Sequence, residues 1–178
     1  CSIIFELTIG VQNTPKSFYN KNYHEKENIL LKKTNISEIQ SLDELKNYIK
    51  NTNVCLLKKN ANKTVFSDGN PLSKIMLIGE APGIEEDKFG KPFVGRAGKL
   101  LDKMLDSINL SREKVYILNV LKCRPPDNRD PLPSEIEICE KYLKKQLEII
   151  NPKLVVSLGR ISAMTLLKTK ESLKDLRK

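Results

Sequence analysis

Ile75-Met76-Leu77-Ile78 runs without a polar residue into Gly79-Glu80-Ala81-Pro82-Gly83, and this stretch decides the fold. A continuous apolar run has no alternation that would leave one side to water, so it reads as a parallel strand covered on both faces. The string that follows stops the strand abruptly, because Pro fixes one φ angle while Gly admits conformations closed to other residues. Alone, such a string serves either as a plain strand-to-helix turn or as a rigid loop that positions backbone groups. Outward from it the chain alternates. Leu100, Leu101, Met104, Leu105 and Ile108 recur at helical spacing. Val115-Tyr116-Ile117-Leu118 makes a second strand, and Ser134 with Glu137 caps a helix bearing Ile138, Tyr142, Leu147 and Ile150. Lys153 to Leu158 is a third strand, and Ile161, Met164, Thr165 and Leu167 begin a further helix. The order β-α-β-α-β-α predicts an α/β fold: a Rossmann-like, doubly wound parallel sheet in three layers with right-handed crossovers.

Upstream, Leu42, Leu45 and Ile49 have helical spacing behind a capping box of Ser41 and Glu44. Thr64-Val65-Phe66 reads as a short strand that turns at Asp68-Gly69. Residues 1–36 show no sustained periodicity, so residues 1–40 are expected to be a poorly ordered or peripheral extension and 41–178 one domain. The first residue is Cys1 rather than Met, as expected of a fragment or a processed product.

The chain has 178 residues, enough for one hydrophobic core, and 31 Lys and Arg against 22 Asp and Glu give a formal charge of +9. That excess either draws the protein to a polyanion or merely keeps it soluble. No apolar run reaches the roughly 18 residues that span a bilayer. There is no GKS, GKT or GxGxxG, so triphosphate and dinucleotide binding lack their mechanism.

Ligands of doubly wound sheets bind outside the carboxyl ends of the strands. The unusual residues fall there: Glu80 to Gly83 after the first strand, Asn119 and Lys122 to Pro126 after the second, Gly159-Arg160 after the third. Phe93 lies in a loop between Pro92 and Gly95, where it either stacks on a base or caps the core. Gly95-Arg96-Ala97-Gly98 opens a helix, whose free amides favour an anion such as a phosphate. Glu85-Glu86-Asp87 has the composition of a solvated acidic turn. The side-chain amide of Asn119 offers a donor and an acceptor that match a uracil edge, although Asn at a strand end is also a common turn former. Cys55, Cys123 and Cys139 are either metal ligands or buried free thiols; their spacing is no zinc-ribbon repeat.

Three segments, IMLIGEAPGIEEDKFGKPFVGRAGKLLDKML, VYILNVLKCRPPDNRDPLPSEIEIC and NPKLVVSLGRISAMTLL, resemble consecutive segments of family 4, iron-sulfur-type uracil-DNA glycosylases in order and spacing. The resemblance is strong from about Cys55 to Leu167, faint over 41–54 and absent upstream. It implies a base-excision-repair enzyme that flips uracil out of single- or double-stranded DNA and hydrolyses its N-glycosidic bond. It makes Glu80, Ala81, Glu86 and Asp87 catalytic-motif residues. Gly79, Pro82, Gly83, Phe93 and Asn119 become uracil-binding residues, and Cys55, Cys123 and Cys139 ligands of a 4Fe-4S cluster. The family's remaining cysteine would fall at Thr52, a poor replacement for a thiolate. A His-Pro motif that stabilises the departing uracil is expected beyond the end of this sequence, whose single histidine is His24. Slow excision by residues 1–178 alone is therefore expected, and a non-catalytic DNA- or nucleobase-binding module of the same fold is the alternative. Lys91, Arg96, Lys122, Arg124 and Arg129 are expected to contact DNA phosphates. A monomer and a cytoplasmic, nucleoid-associated location complete the expectation.

Overall fold

The computed structural model describes residues 35–52 and 55–177. His24 and Cys1 lie outside the described residues. Four strands form one sheet in the order β1-β3-β2-β4. Strands β2 (Ile75–Gly79), β3 (Tyr116–Asn119) and β4 (Leu154–Ser157) are parallel, as their continuous apolar runs predict. Strand β1 (Asp68–Gly69) pairs antiparallel with β3, so the sheet is mixed rather than wholly parallel.

That edge strand lies two residues beyond the expected one. Over 64–66 only Val65 bonds across, donating to Lys122 O at 2.7 Å, while the predicted turn residues make the ladder. Gly69 allows this, with φ of 93° and so close an approach that an added Cβ would lie 2.2 Å from Val115 O.

Helix α3 (Arg96–Ser107) covers one face of the sheet, packing Leu101 and Leu105 on Leu77, Ile117 and Val156. Helix α4 (Pro133–Ile150) covers the other, packing Cys139, Leu143 and Ile150 on Met76, Ile78, Tyr116 and Leu118. Even and odd strand positions thus feed separate cores, which makes the domain three layers deep. Helix α1 (Leu42–Asn51) lies outside α4, its Leu45 and Ile49 packing with Tyr142. Within the expected extension, Ile39 is 2% exposed in the same cluster and Ser37 O accepts from Lys145, so the domain begins before Ser41.

Two helix starts differ from expectation. The acidic stretch after Gly83 is helix α2 (Ile84–Phe89), too short for a periodicity to show. Helix α4 starts at Pro133, pre-set for a first helical position, and Glu135 rather than Glu137 reaches back to cap, accepting from Leu132 N at 2.8 Å. Helix α5 (Arg160–Leu167) follows β4, and Ser162 Oγ donates to Ile78 O at 2.6 Å.

Strand β2 has β3 on one side and β4 on the other. The connection from β2 carries α3 over one face and the connection from its neighbour β3 carries α4 over the other, which opens a crevice at the carboxyl ends of that pair. On β2 the residue at that end is Gly79.

Candidate active site

Gly79 stands opposite Asn119 in the β2–β3 register. A Cβ added to Gly79 would lie 2.4 Å from Asn119 Oδ1 and 2.5 Å from Phe93 Cζ, so the ring and the amide meet over a floor of bare backbone. Asn119 is 2% exposed, yet its side-chain amide has no hydrogen-bond partner among the described residues. Its polar atoms are not sealed from water, so a ligand can take over the hydrogen bonds that solvent makes there. Phe93 has φ of 54°, the left-handed region that few aromatic residues occupy. An aromatic ring, an amide donor and acceptor, and a strand end with no side chain of its own together suit a flat heterocycle.

The acidic residues of the adjoining loop divide into two kinds. Glu86 accepts from Gly83 N at 3.1 Å, and from Val94 N and Gly95 N at 2.8 Å each, tying the start of α2 to the start of α3. Asp87, 1% exposed, accepts from Asn62 N at 2.9 Å, Asn62 Nδ2 at 2.6 Å and Lys63 N at 3.2 Å. Both carboxylates are spent on scaffolding, and the solvated acidic turn read from composition is corrected. Glu80 is the third, half-buried at the exit of β2. Burial raises its pKa and the nearby Asp130 raises it further, against the opposing charge of Arg160. Ala81 and Gly83 are half-buried beside it and Pro82 is buried.

The loop after β3 brings Cys123 against Cys55, ahead of the turn at 56–59, and Cys139 on α4. Cys55, Cys123 and Cys139 are all buried and free. Hydrogen bonds from Cys123 and Cys139 hold the Cys55 thiol down at about 3, and the same contacts with burial push the other two up. Among the described residues no three His, Cys, Asp or Glu side chains are placed to hold one metal ion. The three cysteines share one buried core cluster, one short of the four that usually hold an iron-sulfur cluster. Thr52 is otherwise engaged: its hydroxyl donates to Ile49 O at 3.4 Å.

Residues 66–177 match the family model described as the uracil DNA glycosylase superfamily. The chain belongs to that superfamily. It is 53% identical over 125 residues to a type-4 uracil-DNA glycosylase of Archaeoglobus fulgidus, covering 70% of this chain and 63% of the relative. To the type-4 enzyme of Sulfurisphaera tokodaii it is 48% identical, over 70% of this chain and 57% of the relative. To that of Thermotoga maritima it is 50% identical, over 62% of this chain and 58% of the relative. The chain thus spans about three-fifths of the length of these curated relatives.

Within this glycosylase-superfamily domain the basic residues are not equivalent. Arg96 is exposed at the first position of α3, and Lys91 is exposed at 3.5 Å from Asp68. Arg124 donates to Asn128 Oδ1 at 2.7 Å, and Arg129 binds Glu135 through both terminal nitrogens at 2.9 and 2.6 Å. Lys122 corrects the expectation of a phosphate contact. It is 1% exposed, its ammonium donates to Asn119 O at 2.7 Å, and burial lowers its pKa to about 7. No helix among the described residues is long and apolar enough to cross a membrane.

Sequence reasoning missed Arg112, which pairs with Asp68 at 2.9 Å and with Asp102 at 2.7 Å. Burial disfavours its charge, but the two carboxylates more than offset this and its pKa is raised. In Ser111-Arg112-Glu113-Lys114 it has the look of a solvated charge run, and nothing local sets it apart. Gly98 gave a usable signal, since Gly inside a helical pattern marks close approach.

Proposed function

We propose that the domain binds a uracil flipped out of DNA and hydrolyses its N-glycosidic bond, as base-excision repair requires. The convergence of Gly79, Phe93 and the unpartnered amide of Asn119 carries the reading. The Phe93 ring stacks on the base, and aromatic stacking contributes roughly 1–3 kcal/mol per base. Asn119 Oδ1 accepts from N3–H and its amide donates to O4, an edge that cytosine presents with the opposite polarity. Bare backbone at Gly79 lets the base reach both.

Hydrolysis breaks the bond between C1′ and N1 as water adds its oxygen to C1′ and loses a proton. The sugar passes through a cationic, oxocarbenium-like state. Glu80 is the proposed carboxylate beside it, acting with the Ala81 backbone. A raised pKa makes Glu80 a stronger base toward the water, while its ionised form faces the growing positive charge. Glu86 and Asp87 serve the reaction by fixing the loops that carry Glu80 and Phe93. Stacking and edge contacts exist before the bond breaks, so they contribute more to recognition than to rate.

Cys55, Cys123 and Cys139 would hold an iron-sulfur cluster that, when bound, cross-links the loop after β3 to helix α4. Lys91 and Arg96 are the exposed cations offered to phosphate, with Arg124 and Arg129 contributing where their carboxylate and amide partners leave nitrogens free. Uracil-containing DNA is the proposed partner of a monomeric, cytoplasmic protein.

A single-turnover assay on a uracil-containing oligonucleotide tests the reading in the full-length protein. Excision that drops at least tenfold in Asn119→Ala and in Phe93→Ala supports it. Tight uracil-specific binding with no bond cleavage would replace the enzyme with a binding module.

A further inference from the structure

We propose that Arg112 is a positioning residue that locks the base-stacking ring of Phe93 in place, an inference that rests on the pocket reading above. Three observations converge on the Phe93 backbone. Its φ of 54° belongs to a region that strains a non-glycine residue and persists only where the surroundings enforce it. Arg112 Nη2 donates to Phe93 O, and Nη1 donates to Pro92 O at 3.1 Å, so consecutive carbonyls are gripped by one guanidinium. The first turn of α3 packs on the same carbonyl: a Cβ added to Gly98 would lie 1.7 Å from Phe93 O.

The guanidinium is itself fixed. Its Nε meets Asp102 Oδ1 at 2.7 Å on α3, and Nη1 meets Asp68 Oδ2 at 2.9 Å on β1. One planar fork therefore joins the sheet edge, the helix and the loop that carries the ring. Lys is no equivalent, because an ammonium is a single point of charge without the fork. Displacing the loop would carry the Phe93 ring away from Gly79 and Asn119 without touching either. Misplacement by about 1 Å in such a site lowers rate by about a hundredfold. The stacking contact is thus set from the face of the loop opposite the base.

The test compares wild type, Arg112→Gln, Phe93→Ala and the double variant in single-turnover excision, with DNA affinity measured alongside. Arg112→Gln is expected to slow excision at subsaturating enzyme about 10- to 100-fold and to weaken binding of uracil-containing DNA alongside it, with affinity for DNA lacking uracil changed by less than about threefold. In the Phe93→Ala background the same substitution is expected to slow it no further, because residues acting as a unit are not additive. Arg112→Lys should behave like Arg112→Gln. Losses that multiply in the double variant, or a Lys variant at full activity, overturn the proposal while leaving the pocket reading intact. Phe93→Ala at full activity overturns the pocket reading itself, and the proposal with it. If Arg112→Gln fails to fold, Gly98→Ala decides, since it displaces the Phe93 carbonyl and leaves both ion pairs alone. Slowed excision in a folded Gly98→Ala protein supports the proposal, and unchanged excision overturns it.

Discussion

The loop that leaves β2 and the loop that leaves β3 meet at one pocket but are held by opposite means. After β2, charged side chains saturate the backbone: Glu86 takes three amides, Asp87 fastens the segment at 62–63, and Arg112 takes two carbonyls. After β3, Arg124 and Arg129 bond Asn128 and Glu135 at the rim, while inside the loop Cys123 packs with Cys55 and Cys139 and the buried Lys122 ammonium has a single hydrogen bond. The first loop is complete in itself, since each charge faces polar partners. The second concentrates groups whose burial is costly unless something more is bound, because an isolated buried charge is penalised far more than a paired one. A protein can therefore make one side of a pocket from its own hydrogen bonds and leave the other to a ligand-dependent brace.

The sharpest way to break this contrast is at the shared floor. Gly79→Ala puts a methyl where Asn119 Oδ1 and Phe93 Cζ now lie, within 2.5 Å, and both are side-chain atoms that can swing aside. We expect excision to fall at least about a hundredfold while the circular dichroism spectrum is unchanged. Retained activity would mean that the base does not rest on Gly79.

Glu86→Ala removes the acceptor of three amides at once and should cost roughly 2–4 kcal/mol in urea unfolding, whether or not iron is present. Cys139→Ala should cost only about 1 kcal/mol in iron-free protein, as for loss of a small apolar group. After reconstitution with iron and sulfide, wild type should gain thermal stability that this variant does not. Equal gains in both proteins would remove Cys139 from the ligand set, and no gain in wild type would remove the cluster.

Two smaller effects sharpen the picture. Arg96→Ala should reduce the slope of log affinity against log salt by about 0.9, as expected for one lost phosphate contact, whereas Lys122→Met should leave the slope alone. Burial and then Asp130 raise the pKa of Glu80, so Asp130→Asn should let it ionise at lower pH. The acid limb of the excision rate would then move to lower pH, and a shift to higher pH would contradict the assignment of Glu80 as the ionised group.

The sheet was legible because β2, β3 and β4 are unbroken apolar runs, a pattern that burial on both faces requires. Strand β1 was not, because Asp68-Gly69 has turn composition and its partners, Ile117 and Tyr116, lie far along the chain. Phe93 and Asn119 could be singled out as odd residues at loop and strand end, but their meeting depends on the β2–β3 register. Lys122 was misread for a general reason: a lysine in a basic Pro-rich loop belongs in water unless the fold carries it inward. Glu86 and Arg112 failed for the converse reason, since charged residues in charged runs give no local sign that backbone atoms far away will claim them.

The three sulfurs also impose an order in time. A ribosome releases the chain from its amino end, and Asn119 emerges twenty residues ahead of Cys139. At roughly 5–20 residues per second that is a lead of about 1–4 seconds. Pairing of β2 with β3 needs nothing later than Asn119, so the floor and edge of the pocket can take shape while the corner of thiols is still one short. Cys55 and Cys123 wait for helix α4 to bring the third, so assembly of the proposed cluster on all three thiols comes after the strands beneath the proposed pocket can pair.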